Sequence, residues 1–146
     1  MLTIDQVKNK LQKMLIEING GIEIDSDGDF KVVYESANVF VRVFEFGSDD
    51  DKSFGVRFFC PLVLKVPVTH ELCLYIATEQ FRFGCLNLHL EENQTEGSIY
   101  FTHSVLGDDL DQSEVENALF AVVFTSNRLD DELQKTFGGE MFGESK

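Results

Sequence analysis

The spacing of apolar positions divides the chain into stretches with a helical period and stretches that alternate. Residues 3–17 carry Ile4, Val7, Leu11, Met14 and Leu15 on one stripe behind Thr3, which predicts an N-capped amphipathic helix ended by Asn19-Gly20-Gly21. Ile22 and Ile24 then alternate with Glu23 and Asp25, and Ser26-Asp27-Gly28-Asp29 supplies turn chemistry. β-Branched and aromatic runs over 30–34, 39–46 and 54–66 predict three further strands, the last two joined by an acidic loop at 47–53. Pro61 has no N–H to give to a ladder, so its part of the third run is expected at an edge or a bulge. Thr69 is placed to cap a helix running to residue 80. Runs over 83–91 and 98–106 read as a hairpin. Asp111 and Glu114, three apart, open a closing helix that Gly138-Gly139 ends.

Helix, three or four strands, helix, two strands and helix predict an α+β domain, α-β-β-β-α-β-β-α, with a mainly antiparallel sheet flanked by helices. Residues 1–139 form the domain, and 140–146 are expected to be a loose tail.

Alternation also shows what the helices leave over. Val39, Val41 and Val43 share one strand face, and Phe40, Arg42, Phe44 and Phe46 share the other. In the next strand Val56, Phe58, Cys60, Leu62 and Leu64 oppose Arg57, Phe59, Val63 and Lys65. Helices cover one side of such a sheet. At ~25 cal/mol per Å2, leaving three phenylalanine rings in water forfeits several kcal/mol, so a second subunit, a client peptide or strong curvature is expected over Phe40, Arg42, Phe44, Phe46, Arg57, Phe59 and Val63. Two helical segments, 72–77 and 118–124, are apolar on nearly every side, which predicts burial on more than one side and adds Leu74 to the expected association surface.

Charge narrows the partners. Twenty-six acidic and 12 basic side chains give −14, and a pI near 4.4 makes nucleic acid and anionic membranes poor partners. Between Arg82 and Arg128 there is no lysine or arginine and there are eight acids, so the acidity gathers on the second hairpin and the start of the last helix. The charge-free stretch 117–127 is far below the ~20 apolar residues of a membrane span. Cys60, Cys73 and Cys85 lack CxxC spacing, and the first ten residues lack the apolar core of a signal peptide, so free thiols in the cytoplasm are expected.

Chemical motifs are weak. Asp25, Asp27 and Asp29 start like a calcium loop, but Phe30 and Ser36 stand where glycine and glutamate are required, and a hairpin turn explains the acids better. His70-Glu71 begins HExxH, but Leu74 replaces the second histidine. Cys85, His89, Cys60 and His103 have no zinc-specific spacing, and His103 sits on the core side between Phe101 and Val105. Asp49-Asp50-Asp51 and Asp108, Asp109 and Asp111 read as solvated charge and helix capping rather than Mg2+ sites. No metal, cofactor or catalytic residue is assigned, and no enzyme is expected.

The helix over 72–80, Phe81-Arg82-Phe83-Gly84 leading into 85–90, the strand over 97–106, and the closing helix with Asn127-Arg128-Leu129-Asp130 resemble the YbjN family and the related class I type III secretion chaperones. The resemblance covers nearly the whole chain, chiefly as hydrophobic spacing, and is nearer to YbjN. It implies a noncatalytic, dimeric module that binds extended segments of other polypeptides. The expected function is therefore a cytoplasmic, homodimeric chaperone-like adaptor for a protein or peptide client. A regulatory domain whose apolar face is only a dimer interface is the alternative, and an acidic metal-dependent enzyme stands behind both.

Overall fold

The computed structural model describes residues 2–143. Helix α1 (Ile4–Asn19) begins with a capping box: Thr3 Oγ1 accepts the Gln6 N–H at 3.2 Å, and Gln6 Oε1 accepts the Thr3 N–H at 2.9 Å. Gly20, at φ 81°, ends it by donating its N–H to the Ile16 carbonyl. Val7, Leu11 and Leu15 are buried, so the stripe read from the sequence faces the core.

Strands β1 (Glu23–Ile24), β2 (Phe30–Tyr34), β3 (Ala37–Ser48), β4 (Asp51–Pro67), β5 (Cys85–Leu90) and β6 (Glu96–Leu106) form one antiparallel sheet in the order β1-β2-β3-β4-β6-β5. Helices α2 (His70–Thr78) and α3 (Gln112–Phe137) complete the fold, with β7 (Glu140–Met141) added to β4. Val39, Val41, Val43, Val56, Phe58 and Cys60 pack under α1 and α3 as one core. The α+β architecture and its element order follow the hydrophobic pattern; β1 is the short alternating segment at 22–25, and the addition is the two-residue strand β7. Residues 140–143, expected to be loose, begin with that β7 pairing, and residues 144–146 lie outside the described residues.

Within the chain α2 fully buries only Leu72 and leaves Leu74 52% exposed, and α3 leaves Phe124 59% exposed, so a second buried side would have to come from outside the chain. One expectation changes. Val63 was expected beside Phe59 on the uncovered face, yet it is completely buried in the core. The reason is a register shift: Pro61 opposes Tyr100, but Val63 opposes Ile99, so one extra residue bulges out of β4 and reverses the alternation. A second shift between Val63 and Val66, with Lys65 at φ 53°, restores it. Pro61 therefore stands at a bulge, where a missing N–H is tolerated. Among the described residues no helix is long and apolar enough to cross a membrane.

Candidate functional site

The face of the sheet opposite α1 and α3 carries an open groove of about 570 Å3. Its floor follows directly from strand register. Phe40 on β3 opposes Phe59 on β4, which opposes Thr102 on β6, and residues directly opposite share a face. The Phe40 and Phe59 rings stack at 5.5 Å between centroids with planes 19° apart, and Tyr100 lies 6.5 Å from Phe59. Asn87, Leu88 and His89 of β5 form one wall, and the β1–β2 turn forms the other.

One register step along, Arg42 and Arg57 face each other across β3 and β4. Like charges placed so are destabilising, and two devices offset this. Asp29, only 6% exposed, accepts from Arg42 Nη2 at 2.6 Å and from Nε at 3.0 Å, a fork that neutralises one guanidinium. Each guanidinium also lies over a ring: Arg42 is 5.2 Å from the Phe59 centroid, and Arg57 is 4.9 Å from that of Phe44. The Asp29 hydrogen bonds raise the Arg42 pKa above its ordinary value, against the desolvation that lowers it, with the charges of Asp29, Asp27 and Asp25 adding to the rise. Arg57, in contrast, has no carboxylate partner among the described residues.

The next step pairs Phe44 with Gly55. The ring lies directly over the glycine, in space a Cβ would need. Phe46, 43% exposed, tilts against Phe44 at 6.1 Å beyond the groove.

Four of the expected residues, Phe40, Arg42, Arg57 and Phe59, thus line one groove. Phe44 and Phe46 continue the same face outward, Leu74 lies outside the groove on α2, and Val63 lies in the core. Sequence reading missed Asp29, Tyr100 and Phe142. Alternation within 98–106 was available for Tyr100, but nothing local brings Phe142 here.

Among the metal candidates, Asp25, Asp27 and Asp29 bring carboxylate oxygens within 4.8 Å of one another. Asp25 Oδ1 accepts the N–H groups of Asp27 and Asp29, both at 2.9 Å, so the acidic run closes its own turn while Asp29 serves Arg42. Cys60 and His103 lie on the helical side, and Cys85 and His89 lie on the open side, so the four never converge. Burial raises the Cys60 thiol pKa and lowers that of His103.

A family model described as the T3SS (YopN, CesT) and YbjN peptide-binding chaperone 1, TY-Chap1, matches residues 3–145. Among solved structures, a chain of the ExsC–ExsE complex is similar with a TM-score of 0.56 at 14% identity, over 84% of this chain and 92% of that one. A chain from the Yersinia pestis type III secretion chaperone SycH, in complex with a stable fragment of YscM2, is similar with a TM-score of 0.48 at 12% identity, over 82% and 98%. No curated protein matches.

Proposed function

The chain belongs to the T3SS (YopN, CesT) and YbjN peptide-binding chaperone family, and on that premise we propose that its open sheet face holds an extended segment of a client protein. The observation that carries this reading is the aromatic-floored groove beside Arg57, a guanidinium without a carboxylate partner among the described residues. An extended peptide turns every second side chain to the same side, so alternate client residues enter the groove. Apolar ones meet Phe40 and Phe59, and an acidic one pairs with Arg57. Arg42, already held by Asp29, fixes the floor. The module acts by holding, without bond chemistry, in the cytoplasm, where its three free cysteines stay reduced.

We read the chain also as a homodimer. Phe124 stacks on Phe120 at 5.6 Å, and Tyr34 meets Phe120 edge-on at 5.4 Å, giving an aromatic patch on the helical side that a second copy would cover. Light scattering tests this directly: a monomer would remove the dimer from the reading and leave the groove.

For the groove, binding to an array of extended peptides should fall at least tenfold in Arg57→Glu and in Phe59→Ala, with circular dichroism unchanged. Array binding retained by both variants would sink the groove as the client site.

A further inference from the structure

The groove is already entered by a piece of the chain itself. Straight after α3, Gly138 and Gly139 adopt φ values of 86° and 90° and turn the backbone back along β4. Met141 pairs with Val63 and Glu140 with Leu64, and the Phe142 N–H reaches the Leu62 carbonyl at 3.4 Å. The position is vacant because β3 pairs with β4 only from Phe40 opposite Phe59 onward. Its fit is close: a Cβ on Gly139 would stand 2.6 Å from the Leu64 carbonyl oxygen. Gln134 Nε2 donates to the Gly139 carbonyl at 3.3 Å, and Lys65 Nζ lies 3.8 Å from Glu140 Oε1. The segment ends by laying Phe142 edge-on to Phe40, 6.2 Å between centroids, inside the groove.

We propose that residues 139–143 are an internal stand-in for the client, and that the client segment is a short strand with an aromatic residue at the place of Phe142 and an acidic one beside Lys65. This deepens, and rests on, the groove reading above. Strand addition supplies the backbone hydrogen bonds, and the alternate side chain supplies the selectivity. The tether matters as much as the contacts. A segment joined to α3 by two glycines competes at an effective concentration in the millimolar range, so a weakly held strap still excludes weak clients. Only segments that match its aromatic anchor displace it.

The test uses the full-length chain and its Phe142→Ala variant, with a fluorescein-labelled synthetic peptide carrying the sequence of residues 138–145 as probe, read by fluorescence polarisation. Losing one aromatic pair corresponds to a factor of roughly two to twelve. Phe142→Ala should therefore bind the peptide several-fold more tightly than the unsubstituted chain. Phe142→Tyr should behave like the unsubstituted chain, and adding Phe40→Ala to Phe142→Ala should remove the gain. Equal binding by the unsubstituted and Phe142→Ala chains overturns the strap, as does binding by neither. Equal binding that Phe59→Ala still weakens removes the strap and keeps the groove. Binding indifferent to both Phe40 and Phe59 removes both.

Discussion

Gly55 should respond to alanine with a sign that depends on Phe44. In a strand interior, glycine to alanine is ordinarily worth about 0.5–1 kcal/mol of stability. Here the new Cβ falls on the Phe44 ring, which must swing aside. That movement loses the Arg57 guanidinium over the ring, about 0.5–1 kcal/mol at an exposed site. It also exposes a half-buried phenylalanine, about 1 kcal/mol as half of a full burial. The losses exceed the gain, and Gly55→Ala should destabilise by about 1 kcal/mol, or about 0.5 M in the urea midpoint for a slope near 2 kcal/mol/M. In a Phe44→Ala background the obstacle is gone, and the same substitution should stabilise by about 0.5–1 kcal/mol. The cycle should close with a coupling of about 2 kcal/mol. Urea unfolding of the four chains measures it. If Gly55→Ala stabilised both backgrounds equally, the ring would not be resting on the glycine, and the account of this end of the face would be wrong.

Other perturbations have equally definite expectations. Thr3→Ala removes one half of the α1 capping box and should lower stability by about 1 kcal/mol in urea unfolding. Ser126 Oγ is buried beside the Cys60 thiol, a weak hydrogen-bonding neighbour, so Ser126→Ala should be neutral or stabilising by up to about 1 kcal/mol, and a clear loss would show that the thiol contact holds the helix in place. Asp111 accepts the Glu114 N–H and the Ser113 hydroxyl, which lower its pKa below the ordinary value near 3.8. Its stabilising contribution is therefore complete above the unfolded value and lost as pH falls through the folded one, whereas Asp111→Asn caps without titrating and should lack that component in urea midpoints between pH 6 and pH 3. Cys73 and Cys85 are exposed and Cys60 is buried with its thiol pKa raised, so brief alkylation of the native chain followed by mass spectrometry should label two cysteines and reach the third only after unfolding.

Most of the architecture was legible because it rests on local regularities. Thr3, Thr69 and Asp111 each cap the helix they precede, and β3 keeps Val39, Val41 and Val43 inside and Phe40, Arg42 and Phe44 outside without interruption. Period-two counting fails at β4, where a bulge after Pro61 carries Val63 to the core. Proline marked the irregularity but not its consequence for parity, which depends on the partner strand. The apolar runs of α2 and α3 could not tell which stripe faces the core, and Leu74 and Phe124 fall on the outer side. Phe142 and Asp29 reach the groove only through contacts distant in sequence, 102 positions to Phe40 and 13 to Arg42, so no local pattern could announce them. The turn chemistry of Asp25 to Asp29 was readable; its second task of neutralising an arginine was not.

The separation of the two sheet faces has a consequence for how such a protein changes over generations. Residues that hold the fold and residues that line the groove occupy alternate positions of the same strands and face opposite sides of the sheet. Val41 can stay fixed while Phe40 drifts. A lineage can then vary other alternate residues of β3, β5 and β6 while the core beneath keeps its packing. The two sets interlock at the Arg42–Asp29 pair and at the β4 bulges, where Leu62, Val63 and the C-terminal strand meet, and there variation should be slowest.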